Sequence, residues 1–324
     1  RRPGPLYRAL ARHLRLTRGI ECDPAHIFLV PSPQAALQVA VRLLVEPGDP
    51  VALEDPHYLG ARSTLRARGA RVLRVPVDDA GLRPDRLPSR RDVKLVYTTP
   101  SHQWPTGAVL PFGRRLELLR WAAERGACVV ENDHNCEYLY GGAPIEAIQG
   151  IDDTDRVLYL GSLHRLFLPP IGFTYAVVPE SLVEGFRAGT QLHGLREAPM
   201  LERDALALYL DEGCVERLVR RAARRMRAKR RALLEALHDL GRDDLDVHAS
   251  SGGIHLHVVM RGWSADEVEA LRRRAEERGV GIYPDRPFWL VPPPDAGFIL
   301  GFAELADAEI REGVARLGEA MASR

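Results

Sequence analysis

Apolar residues along this chain recur in two periods, and the two alternate. Residues 6–16, 34–45, 58–67 and 111–125 carry apolar positions at helical spacing. Between them lie short apolar runs of strand length at 27–30, 51–53, 71–75, 93–97 and 127–130, followed by two more at 156–160 and 173–178. Strands alternating with helices predict a mostly parallel sheet with helices packed on its faces. The turn Pro47-Gly48-Asp49-Pro50 closes the second helix, and the run at 93–97 ends in a polar loop over 98–106.

A long helix is predicted over 215–240. It is rich in Arg, and Leu218, Leu233, Leu234 and Leu237 give it an apolar stripe, so its charged side is expected to be a solvated face. After Gly241 the pattern changes to an alternating strand at 253–260, a helix at 265–278, a strand at 298–302 and a last helix at 309–321. The expected organisation is therefore a large α/β domain over 1–240, including an N-terminal segment and the connecting helix, and a small C-terminal α+β domain over 241–324. No internal repeat or low-complexity linker interrupts it.

Composition narrows the function classes. The chain has 324 residues, 45% of them hydrophobic, enough for two cores. Lys plus Arg total 45 against 44 Asp plus Glu, so the net charge of +1 exerts no global pull on nucleic acid or an anionic membrane. Cys22, Cys128, Cys136 and Cys214 are scattered without a C-x-x-C pair and read as free thiols of a reducing compartment. No apolar run is long enough to span a bilayer, and the start does not resemble a signal peptide. A cytoplasmic location without a membrane partner is expected.

Several segments carry a resemblance when taken in order. They are Pro5-Leu6-Tyr7-Arg8 with Arg18-Gly19-Ile20; Pro47-Gly48-Asp49; Glu54 to Arg62 (EDPHYLGAR); Val75-Pro76-Val77-Asp78 with Gly81-Leu82; Thr99 to Gly107 (TPSHQWPTG); Glu131 to Tyr138; Gly252-Gly253-Ile254-His255; and Leu300-Gly301-Phe302-Ala303. This set resembles the aminotransferase-like domain of MocR-type proteins, a branch of the GntR regulators, within the fold-type-I pyridoxal-phosphate (PLP) aminotransferases. It covers nearly the whole chain. The resemblance implies a fold-type-I architecture: a central mostly parallel sheet flanked by helices, plus a small C-terminal α+β domain. It also implies a homodimer with sites at the subunit interface. In full-length members the domain follows a DNA-binding winged helix. The chain begins with Arg1 rather than Met, and nucleic acid is expected as a partner only if such a segment lies upstream.

The departures from the family pattern are where chemistry is at stake. The run Gly161 to Pro169 (GSLHRLFLP) stands where the family reads roughly G-T-F-S-K-x-L-F-P, which sets Arg165 at the Schiff-base lysine. Arginine stays protonated and forms no aldimine, so covalent PLP is not expected. The run Glu131 to Glu137 (ENDHNCE) stands against E-D-D-Y-D-S-E. Asn132 therefore replaces the carboxylate that partners the PLP pyridine nitrogen, His134 replaces a Tyr, and Asp133 and Glu137 are kept. In place of a phosphate-binding S-G-S-Q-Q-A-L turn the chain has Val30 to Ala35 (VPSPQA), whose Pro31 and Pro33 lack N–H donors. An Arg seven residues after the lysine corresponds to Gly172, and a substrate-clamping Arg to Ile299.

Histidines enter the same region: His57 for Gly, His134 for Tyr and His164 for Ser, beside His102, which belongs to the pattern. Four histidines are thus expected to line one cavity with Asp133, Cys136, Glu137, Tyr58 and Arg165. Ser32, Gln34, His57, Tyr58, His102, Gln103, Asn132 and Ser162 are the expected binding residues. Three readings stay open. In the first, His134 or His164 works with Asp133 as acid or base while Arg165 holds an anion or a developing oxyanion. In the second, His57, His134 and His164, with Asp133 or Cys136, ligate a divalent metal, although no H-x-H or H-x-x-x-H spacing links them. In the third, PLP binds non-covalently, with His164 as base and Tyr58 against the ring. His255-Leu256-His257 has H-x-H spacing but reads as structural.

The leading expectation is an aminotransferase-fold enzyme that has lost internal-aldimine chemistry and acts on a small anionic or amino-acid-derived substrate. The alternatives are the effector-sensing domain of a MocR-like transcriptional regulator, a non-covalent PLP enzyme, or an inactive partner that stabilises another protein.

Overall fold

The two periods sort into two sheets. The structure is a computed structural model, and it describes residues 3–140, 146–163, 173–195, 199–248 and 252–323. In chain order the elements are α1 (Pro5–Arg18), β1 (Ile27–Val30), α2 (Pro33–Leu44), β2 (Pro50–Asp55), α3 (Leu59–Ala67), β3 (Arg71–Asp78), β4 (Gly81–Leu82), β5 (Leu95–Thr98), α4 (Phe112–Arg125), β6 (Cys128–Asn132), β7 (Val157–Ser162) and β8 (Thr174–Val177). Then come α5 (Val183–Leu192), α6 (Met200–Asp211), α7 (Cys214–Asp239), β9 (Leu245–His248), β10 (His255–Met260), α8 (Ala265–Glu277), β11 (Tyr283–Pro284), β12 (Gly297–Gly301) and α9 (Asp307–Ala322).

The large sheet has the order β1-β8-β7-β6-β5-β2-β3-β4. Strands β7, β6, β5, β2 and β3 run parallel, while β8 is antiparallel to both β7 and β1. The central parallel strands are buried on both faces, which is why they read as unbroken apolar runs: every residue of β2, β5 and β6 is buried, whereas β3, toward the edge, buries only Val75 fully. One face packs against α2 and α3 through Leu37, Val41, Leu53 and Leu65, and the other against α4 through Leu118, Trp121, Val96 and Val129. The small antiparallel sheet, β11-β12-β10-β9, packs on α8 and α9.

Helix α7 serves two cores. Its first half (Val215, Leu218) packs with α1 and α6, and its second half (Leu233, Leu237) with the small sheet. The small sheet closes over the C-terminal ends of the parallel strands. Asp55, at the end of β2, accepts hydrogen bonds from the N–H groups of Leu290 (2.7 Å) and Val291 (3.2 Å). The N–H of Gly253 donates to the Tyr138 carbonyl at 2.9 Å. Among the described residues no helix is long and apolar enough to cross a membrane.

Candidate functional site

In an open parallel sheet the crevice beyond the C-terminal strand ends is where ligands bind. Here four such ends lie side by side: Asp55 of β2, Thr98 of β5, Asn132 of β6 and Ser162 of β7.

The floor of this crevice is made of buried charges, and each is engaged. Glu54 accepts from the hydroxyls of Thr98 (2.5 Å) and Thr99 (2.8 Å) and from the Thr99 N–H (3.1 Å), which pins the loop after β5. Burial pushes its carboxyl above the usual range, against these hydrogen bonds. Asp133 lies 2.7 Å from the Arg18 guanidinium and accepts the Tyr159 hydroxyl at 2.7 Å. Burial works to raise its carboxyl, but Arg18 and the Ser101 and Tyr159 hydroxyls hold it below the usual carboxylate range. Glu131 accepts from the N–H groups of Ile148 and Gln149, both at 2.9 Å, and lies 3.7 Å from Arg115. Asn132 donates its side-chain amide to the Tyr97 hydroxyl at 2.7 Å. Gln103 is held inside its own loop, donating to the carbonyls of Pro56 (2.7 Å) and Trp104 (2.8 Å).

The wall is aromatic and imidazole-rich. Trp104 meets His255 at a ring-centroid distance of 4.7 Å, Phe288 at 5.7 Å and His134 at 6.2 Å. His255 Nε2 lies 3.0 Å from the Pro105 carbonyl, so that nitrogen carries the proton and donates. His102 is buried behind this group; burial, with the neighbouring imidazoles of His134 and His255, pushes it down to about 3. Its ring fills the place a side chain at position 252 would need, since a Cβ on Gly252 would collide with it and with the Tyr138 carbonyl. His57 is fully buried, and neither of its ring nitrogens has a hydrogen-bond partner among the described residues; the same holds for the indole N–H of Trp104. Burial and the Arg62 guanidinium lower His57 to about 4, against the pull of Asp55.

The structure gathers His102 and His134 together, beside Asp133, and places His57 next to Asp55 and Arg62, with its backbone N–H donating at 2.9 Å to the carbonyl of Phe288, whose ring meets Trp104. His164 and Arg165, and Gly172 with them, lie outside the described residues. Tyr58 is 37% exposed at the start of α3. Ser32 caps α2, its hydroxyl accepting the Ala35 N–H at 3.1 Å, and Gln34 donates to the Gly60 carbonyl at 2.8 Å. Ser162 lies 3.5 Å from the Thr174 hydroxyl. The Cys136 thiol is pushed well up by burial and by Asp133, and the Glu137 carboxyl is raised by the same two causes to about 7. Among the described residues no three His, Cys, Asp or Glu side chains are grouped to hold a metal ion. His257, of the H-x-H pair, is buried and bonded to Asp285 at 2.9 Å.

Arg18, Trp104, His255 and Phe288 had no place in the expected site. The first three lie inside segments already notable in the sequence, Arg18-Gly19-Ile20, Thr99 to Gly107 and Gly252 to His255. Only the fold shows that these meet.

A crevice at the C-terminal ends of an eight-stranded, mostly parallel sheet, roofed by a small antiparallel sheet, defines a protein of the fold-type-I aminotransferase class. The chain belongs to the family of aminotransferases of class I and II, whose model matches residues 5–317. It is 35% identical to the probable rhizopine catabolism regulatory protein MocR of Rhizobium meliloti, over 97% of this chain and 63% of that protein. It is 33% identical to the 2-aminoadipate transaminase of Thermus thermophilus, over 92% of this chain and 76% of that protein. The crystal structure of the multiple substrate aminotransferase from Thermococcus profundus superposes with a TM-score of 0.88 at 27% identity, over 99% of this chain and 81% of that one. The chain spans less than two thirds of the length of the MocR protein it matches.

Proposed function

We propose that this chain is the effector-binding, aminotransferase-like part of a MocR-type transcriptional regulator, and that its crevice binds a small molecule without transferring an amino group. The observation that carries this reading is the inventory of amines. The chain has two lysines: Lys94 sits just before β5, at the end of the sheet away from the crevice, and Lys229 lies in α7, donating to the Ala303 carbonyl at 2.6 Å. A Schiff base to PLP needs a lysine amine at the crevice, and in this reading the run Gly161 to Pro169 sets Arg165 at that position.

The residues present do not fit PLP as an electron sink. The base of the crevice is the neutral Asn132–Tyr97 pair, and an amide supplies no charge to keep a pyridine nitrogen protonated. At the start of α2, Pro31 and Pro33 bring no N–H, and the Ser32 hydroxyl caps its own helix. Likeness to regulators over most of this chain, but under two thirds of theirs, supports a part that works with a separate DNA-binding segment. The reading includes a homodimer, a cytoplasmic location, and a division near residue 240 within which α7 links the two units. His57, His102, His134, Asn132 and Trp104 then form the receptor, with Arg165 as the holder of an anionic group.

A second reading, an enzyme of acid/base type, is favoured by Glu137, whose carboxyl is raised to about 7 by burial and by Asp133. Titration of the purified chain with PLP, followed by borohydride reduction and intact-mass measurement, separates the two. We expect no fixed adduct and no amino-group transfer from a panel of amino acids. A stoichiometric adduct with transfer overturns the receptor reading. If Arg165→Lys alone yields the adduct, the crevice is more intact than proposed. Turnover of any substrate that His134→Ala or Glu137→Gln abolishes makes the protein an enzyme.

A further inference from the structure

The outer face of α7 is a row of arginines, most of which have no acidic partner among the described residues. Arg217, Arg220, Arg221, Arg224, Arg227 and Arg231 are all exposed, and at 3.6 residues per turn they fall within about 120° of one another. Val215, Leu233 and Leu237 point the opposite way, into the core. The helix carries no acid between Glu216 and Glu235. Those two acids are turned elsewhere: Glu216 lies 2.9 Å from His13 on α1, and Glu235 accepts from Arg311 on α9 at 3.0 Å, reaching Arg231 only at 3.8 Å. Among the described residues Arg220, Arg221, Arg224 and Arg227 have no acidic partner.

Helices α8 and α9 do not look like this. On α8, Arg272 bonds Glu269 and Glu276, both at 2.9 Å, and on α9 Arg316 pairs with Glu312. Like charges three and four residues apart repel along a helix, so α7 bears a repulsion that α8 and α9 cancel. An anionic partner removes it.

We propose that this face of α7 binds the phosphate backbone of double-stranded DNA without reading its sequence. Arginine presents a planar fork of donors that matches phosphate. The row extends about 21 Å at 1.5 Å per residue, enough to cross a major groove about 12 Å wide and reach the phosphates on both rims. The helix has no apolar residue to insert into a lipid surface, because its apolar stripe is already buried in the two cores. The inference rests on the regulator reading for its setting. Its test does not: it involves neither the crevice nor any ligand of it.

The test is the salt dependence of binding between the purified chain and a labelled mixed-sequence DNA duplex, read by fluorescence anisotropy. We expect binding at low salt that weakens steeply as salt rises. The variant R220Q/R221Q/R224Q/R227Q is expected to lower the slope of log K against log salt by about 2 to 4, near 0.9 for each phosphate contact removed. A control variant, R90Q/R91Q/R311Q/R316Q, removes the same charge elsewhere on the surface and is expected to leave the slope within about one unit of the parent. Thermal melts of both variants establish that they are folded. The proposal falls if the parent does not bind the duplex at low salt, if the two variants lose binding equally, or if a sulfated polysaccharide of matched charge density competes as well as unlabelled duplex.

Discussion

The floor and the wall of the crevice are built by opposite rules. On the floor, Glu54, Glu131 and Asp133 are buried carboxylates, and each meets a guanidinium, a hydroxyl or a backbone N–H. On the wall, His57 and the Trp104 indole are buried polar groups with no partner among the described residues. A buried polar atom without a partner is costly, and a fold keeps one where something else supplies the bond. The difference separates frame from receptor. The floor fixes the strand ends and their loops, and the wall presents the uncommitted donors and acceptors.

The largest effect should come from breaking the floor. Arg18→Met leaves the Asp133 carboxylate buried and unpaired, and we expect a loss of about 3–5 kcal/mol in urea-induced unfolding. Adding Asp133→Leu to that variant should recover most of the loss, because removing both partners of a buried pair removes the stranded charge. A cost below about 1 kcal/mol for Arg18→Met alone would mean that this pair is not a frame. Glu54→Ala comes next. It leaves the Thr98 and Thr99 hydroxyls and the Thr99 N–H unsatisfied, and about 1–3 kcal/mol should be lost, seen as a lower urea midpoint with an unchanged slope.

The wall is expected to respond to acid. His57 and His102 are held neutral, at about 4 and about 3, while the unfolded chain binds their protons near the ordinary histidine value of 6.5. Between those limits the unfolded state carries more protons, so stability rises with pH and falls as pH drops below about 6.5. One group shifted by one unit is worth about 1.4 kcal/mol, and we expect about 2 kcal/mol to be lost for each of the two imidazoles between pH 6 and pH 4.5. His57→Gln should flatten that profile without moving stability above pH 7 by as much. A profile unchanged by His57→Gln would assign the acid sensitivity to the carboxylates of the floor.

The same division explains what the sequence discloses. The strands β2, β5 and β6 are double-buried, so their apolar runs are visible without a fold, and α2, expected over 34–45, forms over Pro33–Leu44. Helix α6 leaves no clean stripe because Met200, Leu201 and Leu208 are exposed, and the apolar spacing predicts neither it nor the short α5 before it. Within the site, the segment around Asn132 and Asp133 is marked by its likeness to a family pattern. Arg18 as the partner of Asp133, and His255 as the neighbour of Trp104, are contacts between distant segments that no spacing encodes. His57 is a further case: the carbonyl of Phe288 accepts its backbone N–H, and Asp55 and Arg62 lie beside its ring, contacts that no spacing encodes.

The smallest effect expected is at Asn132, where floor and wall meet. Asn132→Asp exchanges an amide that donates to the Tyr97 hydroxyl for a carboxylate that accepts from it, in the same space. Stability should change by less than about 1 kcal/mol. The added charge gives a pyridine nitrogen an anionic partner, so PLP retention after desalting should rise, by no more than about tenfold if the interaction is worth one pKa unit. Borohydride should still fix nothing, because no lysine has been added. Asn132→Asp combined with Arg165→Lys is where a fixed adduct should first appear. An adduct in Asn132→Asp alone would have to map to Lys94 or Lys229, and it would refute the amine inventory on which the receptor reading stands.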